Sequence, residues 1–541
     1  MRATRPTTGF AYTDGRGMFV AREERVEHGA RIRGERVVRV DACVIGTGAG
    51  GGPVAKELAE RGMRVAMLEE GEHFTADGFS TRPRDTLPAL YRDAGQTVTV
   101  GNLSISLPLG QTVGGTTLVN SGTCFRTPEA VLSLWRERFG LEALTLGELD
   151  PYFRRVEREV NVAQVPPELA GNNAHVIKRG AEALGWSGDF IYRNAKGCVG
   201  SGVCVFGCPT NAKQHTGITY VPKAWHAGAT TYSGVRARRV VVEGGRAKGV
   251  EAETAGGGRL RVQCDTVIVA CGALHTPLLL RRSGLGTASG QLGENLAIHP
   301  ATAVRALFDE EINMAHGVPQ SFYVDEFADE GIMFEGAAGP PDYLASTFPF
   351  SGERHRDLML RFRNLAQFGV MVSDISRGSV SERAGRLRIR YDLGNEDLES
   401  FRRGIELMAE LYWAAGAKRV YLPVDGANEL RSPDDRPLAD IDLRPSKLAL
   451  MAFHPLGTAR ADADAQRGVV DSDLRLHGVE GVYVADASVV PSSLGVNPQI
   501  TIMALATRLA YHLLEESPPT HEPEPESIAT PRIRTAHAVA V

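Results

Sequence analysis

The sequence has no stretch of about 18 uncharged apolar residues, so no segment reads as a membrane-spanning helix. It also lacks a block of one charge: 60 Lys and Arg stand against 65 Asp and Glu, a formal net charge of −5, and the charged stretch at 22–39 mixes both signs. That removes the cationic surface a nucleic-acid binder needs, so no nucleic-acid partner is expected. Met1-Arg2-Ala3-Thr4-Arg5-Pro6 leads into polar, glycine-rich sequence rather than the apolar core of a secretory signal, and a cytoplasmic location is expected. Cysteine is scarce and odd in number, seven in 541 residues, which argues against a disulfide framework. No internal repeat is visible.

A chain of 541 residues is long enough for two or three structural units. Residues 40–45 form a short apolar run that stops at a glycine cluster, residues 53–61 follow with helical spacing, and 65–68 is again a strand-like run. The cluster is Gly46-Thr47-Gly48-Ala49-Gly50-Gly51, a G-x-G-x-x-G between strand and helix, with Glu69 ending the next strand. Gly46 permits the tight turn, Gly48 lets a pyrophosphate approach the backbone beside Ala49, and Gly51 lets helix and strand close up. The helix N-terminus faces the phosphate charge, and Glu69 would accept from ribose hydroxyls. On these residues a dinucleotide is expected, with FAD and NAD both open.

Farther on, 230–242 and 259–262 look like strands, 266–270 is a buried strand ending at Gly272, and 273–282 turns helical. Between 306 and 449 the alternation at 368–372 and 387–391 predicts an antiparallel sheet. Asn395 is a candidate N-cap for a helix whose Leu398, Phe401, Ile405, Met408 and Tyr412 share a core face, with Gly416 as terminator. After about residue 516 the chain turns to Pro, Glu, Ser and Thr, and 516–541 is expected to be a disordered tail.

Gly110-Gln111-Thr112-Val113-Gly114-Gly115-Thr116-Thr117-Leu118-Val119-Asn120 resembles the glycine-rich flavin segment of the glucose-methanol-choline oxidoreductases. VIVACGALHTP at 267–277, Gly293-Glu294-Asn295-Leu296 with His299-Pro300, and a C-terminal block extend the resemblance over most of the chain. The block runs His454-Pro455-Leu456-Gly457-Thr458, Val470-Asp471, Val484-Ala485-Asp486-Ala487-Ser488, Pro491 and Gly495-Val496-Asn497-Pro498-Gln499. The resemblance implies FAD as cofactor and an α/β fold: a Rossmann-like FAD domain with a second, substrate domain on an antiparallel sheet. Its pieces would be an N-terminal arm at 1–38, FAD-domain segments at 39–130, 215–305 and 450–515, and substrate-domain segments at 131–214 and 306–449. It assigns Gly110, Val113, Gly114, Gly115, Thr116, Asn120, Val235, Ala270, Gly272, Asp486, Ala487, Asn497 and Pro498 to the flavin, and His454 with Asn497 to catalysis. A second histidine stands at the Asn497 position in some members. The Asn form resembles the sterol, choline and long-chain alcohol oxidase branches.

Such a pair suits alcohol oxidation, because hydride leaves carbon readily only as the hydroxyl loses its proton. His454, with an ordinary pKa near 6.5, can take that proton while the carbon gives hydride to flavin N5. Asn497 cannot accept a proton, so its amide orients the hydroxyl and the developing oxyanion. His299 reads instead as a packing histidine. The expected substrate is a small-molecule alcohol, with rival readings as an oxygen-using oxidase, a non-redox lyase or photoenzyme with FAD, and a flavin-binding module without catalysis.

Cys198, Cys204 and Cys208-Pro209 resemble a bacterial ferredoxin run with Ser201 at the place of one cysteine. The same spacing is similar to membrane-linked sugar dehydrogenases of the family, in which a [3Fe-4S] cluster relays electrons onward. That implies a dehydrogenase serving an acceptor protein or quinone. Two other readings stand beside it: thiols packing a glycine-rich loop, and a zinc site completed by His215. Cys43, Cys124, Cys264 and Cys271 are expected to be buried packing residues.

Overall fold

Residues 42–45 and 65–69 are apolar along nearly their whole length, which suits strands covered on both faces by helices. The computed structural model describes residues 11–13, 19–21 and 25–519, apart from 349, 436, 437 and 440. In it these strands are the centre of a six-stranded parallel sheet. Its order is Val482–Val484, Thr266–Val269, Ala42–Ile45, Val65–Glu69, Thr230–Ser233 and Val26–His28. Neighbouring strands thus come from widely separated parts of the chain, and each strand's C-terminal end carries a loop into one region. The helix Gly51–Glu60 makes the crossover between Ala42–Ile45 and Val65–Glu69. It packs on Gln499–Leu513, whose sequence QITIMALATRLAYHL is apolar almost all round and accordingly buried.

A second six-stranded sheet is antiparallel throughout, ordered Arg419–Tyr421, Ala301–Leu307, Leu365–Val372, Ile332–Gly336, Phe322–Val324 and Gly188–Phe190. The period-2 alternation sorts its two faces. Val304, Ala306, Phe334, Phe368 and Val370 enter a core shared with the helices Asn172–Leu184 and Asn395–Ala414. Ala301, Ala303, Arg305, Glu335, Gly369 and Met371 face a cavity between the two sheets. The chain therefore has the α/β architecture expected, a parallel-sheet unit with a separate antiparallel-sheet unit.

Several finer expectations are corrected. Residues 26–38 are not an arm: Val26–His28 edges the parallel sheet, and Glu35–Arg39 edges a four-stranded sheet with Arg259–Gln263, Arg246–Thr254 and Val235–Glu243. Ala11–Thr13 pairs antiparallel with Phe19–Ala21. Strands this short leave no periodicity, and their partners are remote in sequence. The run 230–242 is two strands in different sheets, broken at Gly234 with φ 63°. Residues 387–391 belong to a separate hairpin, Ser379–Arg383 with Arg386–Arg390. The boundary placed at 305/306 cuts the strand Ala301–Leu307. The long helix begins at Asn395 with Gly394 as its cap residue. Of the expected tail, 520–541 lies outside the described residues. Among those described, no helix is long and apolar enough to cross a membrane.

Candidate active site

The turn after Ala42–Ile45 is crowded enough to demand glycine. Gly46 has φ 102°, and a Cβ there would lie 2.2 Å from the Ala270 carbonyl oxygen. At Gly50 it would lie 1.4 Å from Ala485 O, and at Gly51 1.9 Å from Gly46 O. Gly48 differs: its nearest neighbour would be Gly115 Cα at 3.8 Å, so its open side faces the cavity. Glu69 stiffens the turn, accepting from Thr47 N at 3.1 Å, Thr47 Oγ1 at 2.7 Å and Gly71 N at 3.0 Å. A carboxylate has about four acceptor positions, so capacity for a further donor remains. Asp486, across the sheet, accepts from Gly272 N at 2.9 Å, Thr276 Oγ1 at 2.5 Å and Ser488 N at 2.8 Å.

One continuous cavity of about 420 Å³ runs from this turn, past the C-terminal ends of the parallel strands, to the antiparallel sheet. Gly46, Gly48, Ala49, Glu69, Gly110, Gly115, Thr116, Asn120, Val235, Ala270, Gly272, Asp486, Ala487, Asn497, Pro498 and His454 all line it. Gly51, Val113 and Gly114 do not. Gly51 is spent on helix–strand contact, and Val113 points into the main core. Gly114 turns its N–H to Thr47 Oγ1 at 2.9 Å, bracing one glycine loop on the other. Sequence spacing did not single out Thr47, Arg92, Arg236, Arg305, Gln320 or Glu335, which also line the wall.

At the far end His454 Nε2 lies 3.2 Å from Asn497 Nδ2. Asn497 Nδ2 also lies 3.3 Å from Glu335 Oε2, which accepts from Gln320 Nε2 at 2.5 Å. His454 Nδ1, Asn497 Oδ1 and Glu335 Oε1 have no partner among the described residues, so each of these three linked side chains keeps one polar atom unsatisfied. Removal from solvent, and the neighbouring His299, hold the His454 imidazole well below its ordinary pKa, leaving it neutral and able to accept a proton at pH 7. Burial pushes the Glu335 carboxyl up to about 7, against the hydrogen bond from Asn497.

His299 is more than packing. Its Nε2 accepts from Leu494 N at 2.8 Å and Gly495 N at 3.2 Å, which fixes the loop carrying Asn497. Asp374 in turn accepts from Ile298 N at 3.0 Å, His299 N at 3.1 Å, Ser493 Oγ at 2.5 Å and Tyr391 OH at 2.8 Å. This fully buried carboxylate ties the antiparallel unit to the loop before Asn497, and no sequence motif announces it.

Family profiles described as GMC oxidoreductase match residues 87–301 and 374–506. An uncharacterized GMC-type oxidoreductase of Mycobacterium tuberculosis is 44% identical over 478 residues, 88% of this chain and 76% of the relative. The chain belongs to the GMC oxidoreductase family. A long-chain-alcohol oxidase of Arabidopsis thaliana is 27% identical, covering 93% of this chain and 72% of its own length. Among solved structures, pyridoxine 4-oxidase from Mesorbium loti superposes with TM-score 0.69 at 19% identity, over 88% of this chain and 99% of that one. Formate oxidase of Aspergillus oryzae, in a structure described for the effect of a mutation on its FAD modification, gives 0.68 at 17%, over 87% and 97%.

In this GMC oxidoreductase the sulfurs of the cysteine run make contacts with the protein's own groups. Cys198 Sγ accepts from Gly200 N at 3.5 Å, Cys204 Sγ from Arg193 Nη2 at 3.3 Å, and Cys208 Sγ meets Thr210 Oγ1 at 3.5 Å. The three line a small second cavity with Arg193 and Lys213, yet among the described residues no group of three or more His, Cys, Asp or Glu is placed to hold a metal ion. Burial lowers Lys213 to about 7, and its ammonium donates to the carbonyls of Leu118 at 2.5 Å, Asn120 at 2.6 Å and Cys204 at 2.8 Å. Lys213 thereby clamps the cysteine loop to the Thr116–Val119 turn. His215, weighed as a zinc ligand, packs against Gly114 and Gly217 instead.

Proposed function

We propose that this chain oxidises an alcohol carbon to a carbonyl with FAD held along the cavity. The close pairing of His454 Nε2 and Asn497 Nδ2, in the wall of a cavity that begins at a glycine turn, carries the proposal. The residues suit the cofactor. Gly48 leaves backbone bare where a pyrophosphate would pass, Gly46 and Gly50 let the turn pack tightly enough to place it, the helix Gly51–Glu60 directs its N-terminus there, and the Glu69 and Asp486 carboxylates stand on the wall with acceptor capacity left.

FAD, when bound, supplies a ring that accepts the hydride from the carbinol carbon. The protein does the rest. His454, neutral because its surroundings strip it of solvent, takes the hydroxyl proton at Nε2, so the departing hydride leaves a neutral C=O rather than a protonated carbonyl. Asn497 reaches the same point and orients the oxygen while negative charge grows on it. Gly110, Gly115, Thr116, Asn120, Val235, Ala270, Gly272, Ala487 and Pro498 shape the cofactor wall. No step is routed through Cys198, Cys204 and Cys208, whose sulfurs are separately engaged.

Anaerobic mixing of the FAD-bound protein with a panel of alcohols tests this. Loss of oxidised-flavin absorbance is expected with at least one of them, and His454→Ala should reduce its rate by about 10²–10⁴-fold. Failure of every alcohol to bleach the flavin, or an unchanged rate in the variant, would overturn the reading and favour a non-redox role. Oxygen uptake matching alcohol consumption would assign O₂ as oxidant; its absence would assign a separate acceptor, protein or quinone.

A further inference from the structure

Arg305 is an arginine that its surroundings do not neutralise. It is 4% exposed and lines the cavity, yet among the described residues no carboxylate pairs with it. Its Nε donates to Gln367 Oε1 at 2.6 Å and its Nη2 to Thr347 Oγ1 at 2.6 Å, and its guanidinium stacks 4.5 Å from the Phe348 ring centre. Nη1 has no hydrogen-bond partner among the described residues. Burying an unpaired cation costs several kcal/mol, and two neutral acceptors and a ring recover only part of it. Burial accordingly pulls the guanidinium down to about 10.

The sheet register says where this charge stands. Arg305 faces Gln367 across Ala301–Leu307 and Leu365–Val372, and two residues along the same face Ala303, Gly369 and Glu335 form the neighbouring row. Glu335 touches Asn497, so that row marks the catalytic end. One pleat repeat along the strands and two strand widths across put Arg305 on the order of 10 Å from Glu335. Between them the floor is built of Ala303 and Gly369, low enough for a substrate to lie over. Gln367 is itself held in place, since Asn173 Oδ1 and Nδ2 grip its backbone and its Nε2 donates to Ala337 O, which leaves Oε1 to aim the guanidinium.

We propose that Arg305 recognises a carboxylate carried by the alcohol substrate, at the end of the molecule remote from the carbon that is oxidised. The inference rests on the alcohol-oxidation reading above and narrows its substrate class to hydroxy acids. An alkanol of the same length would bring its methyl end against an uncompensated charge. A carboxylate replaces the missing counter-ion and makes charge-assisted bonds to Nη1.

The test uses the FAD-bound full chain with ω-hydroxyalkanoates of increasing length, each beside its neutral primary amide. In the wild type kcat/KM for the acid should exceed that for the amide by about tenfold or more at a preferred length. In Arg305→Met and Arg305→Gln the acid-to-amide ratio should fall to about one, and Arg305→Lys should keep part of the preference. Equal kcat/KM for acid and amide at every length in the wild type would overturn the proposal, a comparison that needs no variant to fold. So would an equal loss on both substrates in the variants. Alkanoates without a hydroxyl provide a readout apart from turnover: they should perturb the bound-flavin spectrum of the wild type and not of Arg305→Met. If no alcohol bleaches the flavin but alkanoates still bind through Arg305, the oxidation reading alone fails; if alcohols bleach it and alkanoates do not bind, the Arg305 proposal alone fails.

Discussion

His299 and His454 meet edge to face, their ring centroids 5.4 Å apart and their planes at 77°. His454 has Nδ1 without a partner among the described residues and Nε2 toward Asn497; His299 has its Nε2 accepting two backbone N–H groups. Burial lowers both, His299 to about 3, so neither ring carries charge at neutral pH. His454 is therefore the group free to move a proton, and His299 the group that holds the loop beside it.

Replacing His299 by alanine should leave the N–H groups of Leu494 and Gly495 unpaired in a buried setting. A stability loss of about 1–3 kcal/mol is expected, with a fall in kcat because Asn497 loses its fixed position. Thermal melting and steady-state kinetics on the same preparation check it. A normal Tm with unaltered kcat would show that the histidine is not a brace.

Asn497→Ala removes a hydrogen-bond donor where oxyanion charge develops, and a loss of about 10²–10³-fold in kcat is expected. Flavin content should be retained, since the neighbouring Pro498 and the glycine turn are untouched. Stopped-flow reduction under anaerobic conditions gives the rate. A change in KM alone would assign Asn497 to binding only.

Glu335 gives the protein a pH dependence of stability with a defined sign. Its carboxyl is raised from about 4.5 in the unfolded chain to about 7 in the folded one, so the folded state binds the extra proton between those values. Its contribution is fully present below about pH 4.5 and is lost as pH rises through about 7. Glu335→Gln should therefore become more stable relative to wild type over that window, by about 3 kcal/mol at its top. Denaturant unfolding at a series of pH values measures the gap, and a gap that narrows with rising pH would contradict the buried-carboxyl assignment.

Gly50→Ala would set a Cβ 1.4 Å from the Ala485 carbonyl oxygen, a backbone clash with no side chain to move aside. The strand end, the helix Gly51–Glu60 and the segment holding Asp486 must then separate. The expected outcome is protein with little or no bound FAD, read from the ratio of flavin to protein absorbance.

Iron and acid-labile sulfide should be at background in protein purified without air, because the three sulfurs of the 198–208 loop meet Gly200 N, Arg193 and Thr210. Stoichiometric iron and sulfide would reverse that conclusion.

The local parts of the site could be read along the chain. Glycine spacing after a short apolar run marks the cofactor turn, because the steric demand of a left-handed Gly46 and a crowded Gly50 is written into a few consecutive residues. The block from His454 to Gln499 marks in the same way the two residues proposed as the catalytic pair. The strand Glu35–Arg39 was not legible, since its partner Arg259–Gln263 lies far away in sequence and five residues of which four are exposed carry no period. Asp374, Glu335 and Arg305 were equally silent: in sequence each is one more charged residue, and only burial makes it consequential. Folding decides which carboxyl is shut away from water, which guanidinium lacks a counter-ion, and which groups each thiol meets. Desolvation and pairing are properties of surroundings assembled from distant segments, so tertiary structure alone could assign the brace to His299 and an uncompensated charge to Arg305.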